Sequence, residues 1–309
     1  MLIISDLHWR CDTPAWRKES DYAKQVLRPQ LASLLDTGEP VIVAGDVFHR
    51  SADFPATYDL FTFLKERGAV LYAVRGQHDM LNHNDAQPET GFNLLVKAGL
   101  IVPLCNTPVS LKGPTDTCSI APGRMWELSK AYLICGMGWG EDVPACKADI
   151  LIAHVSISHA GAVIPGATTA TAFRERNRRF GMIFTGDNHK RFALPDTEAS
   201  GLYNAGCFHQ MSADLIDQPP AAWHVLPNGS VELFQIPFTP PMIDESYALS
   251  KNKGKTVAGA EFVKALAEAI NQGGADIFMN TLRASASEAT GETRALLNEC
   301  VKKCEEGHT

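Results

Sequence analysis

Short buried strands alternate with amphipathic helices between residues 2 and 74, and this alternation constrains the fold more than any other feature of the sequence. Apolar runs predict strands over 2–5, 41–44 and 69–74, and apolar residues at helical spacing predict helices over 15–36 and 54–67. Parallel strands need crossover helices of this kind between them. The order β-α-β-α-β therefore predicts an α/β fold with a largely parallel sheet covered by helices.

After residue 130 the sequence changes to short apolar runs with few helices between them. These runs predict a second, more antiparallel sheet, and they lie at 131–135, 150–153, 182–184, 202–204, 222–226 and 231–236. The turn sequence at 227–230 predicts a hairpin between the last two runs. A proline-rich stretch then indicates a boundary near residue 240, between a domain over 1–240 and a helical C-terminal extension over 241–309, with helices at 258–270 and 292–304.

The composition is that of an ordinary globular protein and excludes disordered, collagen-like and coiled-coil chains. Of the 309 residues, 45% are hydrophobic and 20% are charged. No apolar run reaches the ~18 residues that a membrane span needs, and the N-terminus lacks the basic region of a signal peptide. The eight cysteines are too scattered for a disulfide framework. We therefore expect a cytoplasmic protein with reduced thiols and no membrane association.

The formal net charge of −7 argues against nucleic-acid binding through overall charge, yet one local cluster is strongly basic. This cluster consists of Arg174, Arg176, Arg178 and Arg179. Two interpretations are open. The cluster is either a surface that follows the phosphates of a nucleic acid or an ordinary solvated helix face.

Polar side chains that can bind metals stand directly after five of the predicted strands. They are Asp6 and His8, then Asp46, then Gln77 with His78 and Asp79, then His154, and finally Asp187 with His189. The carboxyl ends of strands in an α/β sheet form a common edge, so these side chains should converge there. Carboxylate, imidazole and carboxamide donors together suit two divalent ions such as Mn²⁺, Fe²⁺ or Zn²⁺.

These segments resemble the D-x-H, G-D-x, G-N-H-D, isolated H and G-H-x-H motifs of the calcineurin-like metallophosphoesterases, over residues 1 to about 210. The resemblance implies a four-layer α-β-β-α sandwich, here with a short helical C-terminal extension. Within that family, the G-D-V-F-H-R segment at 45–50 is similar to the SbcD-type DNA-repair nucleases and to phage recombination endonuclease subunits. The Y-N-A-G-C segment at 203–207 resembles a turn of the same nucleases.

The resemblance also implies a role for each motif residue. The ligands of two divalent ions would be Asp6, His8 and His189 for the first, Gln77, His154 and Asp187 for the second, and Asp46 as the bridge. Three residues would act on the substrate or support those that do: His78 as the proton donor to the leaving oxygen, His49 in contact with the scissile phosphate, and Asp79 as the partner that fixes the His78 tautomer. Two ions of this kind clamp the attacking and leaving oxygens of a displacement.

Two positions depart from the family pattern, and both belong to the second ion. Gln77 stands where the family usually has Asn, and Asp187 stands where it has His. Gln77 keeps the carboxamide oxygen and Asp187 keeps the capacity to bind a metal, and the added carboxylate favours Mn²⁺ or Mg²⁺ over Zn²⁺. The site is therefore interpreted as retuned, with an impaired second site as the alternative.

The resulting hypothesis is a two-metal DNA phosphodiesterase of recombination or repair, an exo- or endonuclease with Mn²⁺ as the favoured ion. Its expected partners are DNA and an SMC-like coiled-coil ATPase that docks on 241–309, with a homodimer also possible. Additional substrate contacts are expected from the arginine cluster and from His209. Two alternatives are a small-substrate phosphoesterase on the same scaffold and a non-catalytic scaffold that binds DNA or a partner.

Overall fold

The computed structural model describes residues 1–81, 89–111, 131–159 and 167–244, together with Arg294 and Asn298. The chain forms two compact units, Met1–Ile243 and Asp244–Thr309. The helix predicted over 258–270 lies outside the described residues. The one predicted over 292–304 does so too, except for Arg294 and Asn298, which are helical.

Six of the described strands form a first sheet. In spatial order they are β14 (Val231–Gln235), β13 (Ala221–Val225), β1 (Leu2–Ile4), β2 (Val41–Ala44), β3 (Leu71–Val74) and β4 (Ile101–Pro103). Strands β1 to β4 are parallel, as the alternating pattern predicts. The predicted hairpin forms β13 and β14, but it pairs antiparallel with β1 and so extends the first sheet, not the second.

A second sheet is also built from six described strands. In spatial order they are β11 (Phe192–Thr197), β12 (Ser200–Asn204), β10 (Met182–Gly186), β7 (Ile150–His154), β6 (Tyr132–Met137) and β5 (Val109–Leu111). Its four inner strands are parallel, and only β5 and β11 at the edges are antiparallel. The expectation of a more antiparallel second sheet is therefore wrong. Strands β8 (Ile157–Ser158) and β9 (Thr168–Thr169) pair separately.

The helices cover the outer faces of the two sheets. They are α1 (Arg28–Leu35), preceded by the π-helical segment Ala23–Leu27, then α2 (Phe54–Arg67), α3 (Gly91–Lys97) and α4 (Ala170–Arg176), with 3₁₀ turns at Gln77–Asp79 and Ala213–Leu215. Helix α2 has the predicted bounds because the Asp53 side chain caps its first turn and Gly68, at φ +60°, ends it. None of the described helices is long and apolar enough to cross a lipid bilayer.

Alternate residues of each inner strand pack on opposite sides of its sheet and so divide the apolar core into layers. In β1, Leu2 and Ile4 join a buried cluster with the helices α1 to α3, whereas Ile3 faces a cluster that includes Ile152 and Phe184 of the other sheet. A third cluster lies between the second sheet and α4. The architecture is a four-layer α-β-β-α sandwich, as expected.

One of the four clustered arginines is a buried part of the architecture. Arg174 is 5% exposed, and its guanidinium binds the carbonyl oxygens of Phe180 and Gly181 and the carboxylate of Asp196. Arg179 donates to the carbonyl oxygen of Pro144. The buried Arg174 side chain therefore holds the loop after α4, which corrects its assignment as a substrate contact, whereas Arg179 is exposed.

Arg176 and Arg178 are exposed on the surface, as is Arg179. Arg178 is paired with Glu175 at 2.5 Å, one helical turn away. An exposed pair of this kind contributes little to stability. The solvated helix face, the second interpretation of the cluster, fits Arg176 and Arg178.

Replacing Arg174 by Ala should lower the free energy of unfolding by about 3 kcal/mol, because two buried carbonyl oxygens and a carboxylate lose their donor. The matched control Arg176→Ala should change it by no more than about 0.5 kcal/mol. Urea unfolding of the two variants measures the difference. Equal losses would show that the contacts of Arg174 do not stabilise the fold.

Candidate metal centre

The carboxyl ends of five parallel strands bring the seven predicted ligands together at one edge of the two sheets. The side chains follow β1, β2, β3, β7 and β10. Among the described residues, three groups each bring their possible ligand atoms within 4.8 Å of one another: Asp6, His8 and His189; Asp6, Asp46 and His154; and His8, His49 and His78. The distance between the Nε2 atoms of His8 and His189 is 3.2 Å. This spacing suits nitrogen ligands that share one ion.

Four of the seven predicted ligands have a strained backbone. Asp6, His8, Asp46 and Asp187 have φ values of 50°, 42°, 49° and 79°, and no other non-glycine residue among those described has a positive φ. Such conformations cost of order 1–3 kcal/mol each and persist where the surrounding structure enforces them. The concentration of strain at this edge marks it as the functional part of the fold.

Glycines precede three of the ligands because the chain passes too close to its neighbours for a side chain. A Cβ atom at Gly45 would lie 2.1 Å from Nδ1 of His154, and one at Gly76 would lie 2.1 Å from Oδ1 of Asp46. At Gly186, a Cβ would lie 2.1 Å from the carbonyl oxygen of Ala44. The glycines therefore let the strand ends of the two sheets approach each other at the centre.

Asp46 has the environment expected of a carboxylate that bridges two cations. Its Oδ1 accepts a hydrogen bond from the backbone N–H of His78. Its Oδ2 is buried, has no hydrogen-bond partner, and lies 3.5 Å from Nε2 of His154, 3.7 Å from that of His8 and 4.0 Å from that of His78. An acceptor oxygen ringed by nitrogens beyond hydrogen-bond distance fits a divalent ion between them.

At two of the predicted ligands, Asp46 and His8, the pKa shifts favour the forms that bind metals. Burial alone would raise the pKa of Asp46, but the neighbouring His154 and His8 hold it below its usual value, so the carboxylate stays charged. Burial lowers the pKa of His8 well below its usual value and keeps this imidazole neutral. A charged carboxylate beside a neutral imidazole is the protonation state that metal ligands require.

His154 is fixed by a backbone contact on its far side. Its Nδ1 donates to the carbonyl oxygen of Ala44 at 2.7 Å, so Nε2 points toward Asp46 and lies 2.7 Å from Oε1 of Gln77. Burial would lower the pKa of His154, but the Asp46 carboxylate raises it to about 10. A backbone acceptor on one ring nitrogen commonly sets the orientation of a metal-bound histidine.

Gln77 and Asp187, the two departures from the family pattern, are in direct contact. The amide Nε2 of Gln77 donates to Oδ1 of Asp187 at 2.6 Å. The backbone N–H of Asp187 in turn donates to both carboxylate oxygens of Asp6, at 3.1 and 3.2 Å. The residues predicted to hold the second ion are thus tied to those of the first.

His78 differs from the buried ligands in its exposure. Its side chain is 42% exposed, and its Nδ1 donates to the carbonyl oxygen of His49 at 2.9 Å. The two imidazole rings stack with centroids 5.8 Å apart. This arrangement places Nε2 of His78 beside the buried ligands, 4.0 Å from Oδ2 of Asp46.

The structure assigns Asp79 a different task from the predicted one. Its carboxylate accepts hydrogen bonds from the backbone N–H groups of Val47, Phe48 and Gly76, and the carbonyl of His49, not Asp79, binds Nδ1 of His78. Asp79 therefore holds the loop after Asp46 against the loop that carries Gln77. Burial and the nearby Asp46 carboxylate raise the pKa of Asp79 to about 7.

His209 lies inside the protein beside the centre. Its ring is 1% exposed, and its Nδ1 lies 2.7 Å from the hydroxyl of Tyr22, which itself accepts from Arg17. Burial lowers the pKa of His209 well below its usual value. The predicted role of His209 as a substrate contact is corrected accordingly, because the ring is enclosed by protein.

Asn204 supports the centre in a way that the sequence did not indicate. Its Nδ2 donates to the carbonyl oxygens of Asn188 and Lys190, on either side of the ligand His189, and its Oδ1 accepts from Thr185. The only sequence signal was its place in the 203–207 turn. A side chain that binds two backbone carbonyls of a distant loop has no local pattern to predict it.

Replacing Gly45 by Ala should remove metal binding and strongly destabilise the fold, because the new methyl group would overlap the His154 ring. Gly99→Ala is a matched control, since Gly99 also has a positive φ (71°) but nothing lies within 4 Å of its Cβ position. In the control, the free energy of unfolding should fall only by the cost of a side chain at positive φ, about 1–2 kcal/mol. Urea unfolding and Mn²⁺ titration measure both effects. Equal losses would contradict the close approach at Gly45.

Several solved structures resemble this one at low sequence identity. A 5′-nucleotidase precursor from Thermus thermophilus matches with a TM-score of 0.44 and 9% identity, over 84% of this chain and 58% of that chain. The protein TT1561 from the same organism matches with a TM-score of 0.43 and 14% identity, over 76% of this chain and 98% of that chain. The calcineurin-like phosphoesterase YfkN from Bacillus subtilis matches with a TM-score of 0.39 and 12% identity, over 78% and 92%. This chain thus spans little more than half of that nucleotidase.

By sequence, the chain matches a protein family. No curated protein matches the chain in sequence. A family model described as calcineurin-like phosphoesterase matches residues 1–191, which carry all seven predicted ligands. Members of this family use two divalent metals. Because the match covers more than half of the chain, the protein belongs to the calcineurin-like phosphoesterase family.

Proposed function

We propose that the protein is a divalent-metal-dependent DNA phosphodiesterase, an exo- or endonuclease of recombination or repair. The observation that carries the proposal is the arrangement of His78, a partly exposed imidazole beside a buried ligand cluster. When bound, the two divalent ions supply Lewis acidity for the hydrolysis of a phosphoester. The remaining chemistry is assigned to side chains of this protein.

Mn²⁺ is the proposed ion, with Mg²⁺, Fe²⁺ or Zn²⁺ as possible substitutes. Asp6, His8 and His189 would hold one ion, Gln77, His154 and Asp187 the other, and Asp46 both. Four of these seven side chains offer oxygen and three offer nitrogen. Oxygen donors of this number favour a harder ion than the sulfur-rich or purely imidazole sites of Zn²⁺.

His78 is proposed as the general acid. Its Nδ1–H is committed to the carbonyl of His49, so its Nε2 is the nitrogen that can deliver a proton to a leaving oxygen. A nucleoside alkoxide leaves poorly without a proton, and imidazole titrates in the useful pH range. The ring of His49 stacks on that of His78, and we propose that it contacts the scissile phosphate.

DNA as substrate is supported by the nuclease-like segment 45–50, which contains His49. Arg50, the next residue, has 63% of its side chain exposed, and its guanidinium, which lies 3.5 Å from the Asp12 carboxylate, would offer a cation to a neighbouring phosphate. A small phosphoester as substrate is favoured by a different observation. The net charge is −7, and two of the four clustered arginines are occupied by structural contacts.

The proposal includes an SMC-like coiled-coil ATPase as a partner that docks on 241–309, and allows a homodimer. Amphipathic helices commonly bind in apolar grooves of partner proteins. Of this segment the structure describes 241–244, Arg294 and Asn298, where Met242 and Ile243 are exposed apolar side chains. Co-purification of the full chain with and without 245–309 against a coiled-coil ATPase of the same genome would test this part.

Incubation with labelled linear DNA should give Mn²⁺-dependent cleavage that EDTA abolishes. Asp46→Ala should be inactive, because the bridging carboxylate is lost, and its failure to cleave controls for contaminating nucleases. Cleavage of p-nitrophenyl phosphate without cleavage of DNA would instead establish a small-substrate phosphoesterase. No hydrolysis of either substrate, alone or with the ATPase, would support a non-catalytic scaffold.

His78→Gln should retain Mn²⁺ but lower kcat on DNA by about 10²–10⁴-fold, the usual contribution of a general acid. The same variant should hydrolyse bis(p-nitrophenyl) phosphate nearly as well as the wild type, because p-nitrophenolate leaves without a proton. Steady-state kinetics on both substrates provide the test. Equal losses on the two diesters would remove His78 from the role of acid.

A further inference from the structure

The amide of Gln77 lies between two partners, one that contacts its NH₂ group and one that contacts its oxygen. Its Nε2 is 2.6 Å from Oδ1 of Asp187, and its Oε1 is 2.7 Å from Nε2 of His154. An ionised carboxylate only accepts hydrogen bonds, so it can bind the NH₂ end of the amide and repels the oxygen end. A metal ion, in contrast, takes only the oxygen of a carboxamide as a ligand. The two requirements agree on one orientation of the side chain.

Asp187 is itself held in place from its backbone. Its φ of 79° is rare for a residue with a side chain, and its N–H is bound to both oxygens of the buried Asp6 carboxylate. The preceding residue, Gly186, packs so closely on the carbonyl of Ala44 that a Cβ there would lie 2.1 Å away. The turn therefore holds the Asp187 carboxylate, which is 14% exposed, next to Gln77.

We infer that Asp187 is a positioning residue, whose carboxylate orients the amide of Gln77 so that its oxygen faces His154 and the second metal ion. The inference rests on the proposed two-metal function and replaces the direct-ligand role of Asp187 in it by a positioning role. Oδ1 of Asp187 lies 3.9 Å from Nε2 of His154 but only 2.6 Å from Nε2 of Gln77, so the amide is its direct partner. Gln77 and Asp187 act as a matched pair, and removing either one disables the same ligand.

The pair explains why two unusual residues occur together at one ion. Without Asp187, the amide of Gln77 can turn its NH₂ group toward the centre, where it cannot bind a cation. Without Gln77, the carboxylate of Asp187 has nothing to orient. A longer amide and a carboxylate acceptor are thus one change to the site, made at two positions 110 residues apart.

A double-mutant cycle on Mn²⁺ binding tests the inference without reference to catalysis. The purified full chain and the variants Gln77→Ala, Asp187→Ala and the double variant are titrated with Mn²⁺ by isothermal calorimetry. Each single variant should bind the second ion at least about tenfold more weakly, the usual effect of losing a hydrogen bond to a charged group. The double variant should be no weaker than either single variant. Glu198→Ala, which removes an exposed charge in the turn between β11 and β12, should match the wild type.

Asp187→Asn distinguishes an orienting acceptor from a charged ligand and guards against misfolding of the Ala variants. Its Oδ1 can still accept from Nε2 of Gln77, so the second ion should bind within about threefold of the wild type. The inference would be overturned if the losses of Mn²⁺ affinity multiplied in the double variant, or if Asp187→Asn bound the second ion as weakly as Asp187→Ala. Binding of a single ion by the wild type would also overturn it. Two ions bound by a protein that fails to cleave DNA would refute the proposed function and leave the inference standing.

Discussion

The buried carboxylate of Asp46 is the point on which the rest of the centre depends. Removing a carboxylate from water is costly unless positive charge or donors compensate it. Here Oδ1 has one donor, whereas Oδ2 faces three imidazole nitrogens at 3.5–4.0 Å without a hydrogen bond. Cations beside this oxygen would resolve the imbalance. The side chains around it come from both sheets, so this one charge ties the two halves of the fold together.

The structure around Asp46 brings the ends of strands from both sheets close to its carboxylate. Parallel strands in both sheets put their carboxyl ends at one edge, and glycines at 45, 76 and 186 allow backbone and ring to approach without a Cβ between them. Four residues of the centre, Asp6, His8, Asp46 and Asp187, have a strained backbone at these turns. Backbone strain of this kind is retained where it serves a site, since it only lowers stability elsewhere.

The residue pattern predicted two sheets and the gathering of polar side chains at their strand ends. Both follow from local apolar runs and from the rule that ligands collect at the carboxyl ends of parallel strands. The stacking into four layers was implied by the resemblance to the metallophosphoesterases, not by the pattern. The pattern did not predict that the hairpin of β13 and β14 would join the first sheet, because that choice depends on the edge of β1 being free to pair. Strand pairing is a long-range property that local patterns do not encode.

The side-chain roles that failed were also those decided by distant contacts. Arg174 resembled a surface cation, yet it satisfies two carbonyls beyond the end of α4. Asp79 stood next to His78 in sequence, but its oxygens point to the backbone after Asp46. The contact between Gln77 and Asp187 was invisible for the same reason, although both residues were recognised as unusual.

The central claim is that Asp46 bridges two divalent ions at the edge between the sheets. Anomalous diffraction at the manganese absorption edge, from crystals soaked in Mn²⁺, tests it most directly. The account predicts two anomalous peaks flanking Oδ2 of Asp46, one beside His8 and His189 and the other beside His154 and Gln77. A single peak at saturating Mn²⁺, or peaks that do not contact Asp46, would contradict it.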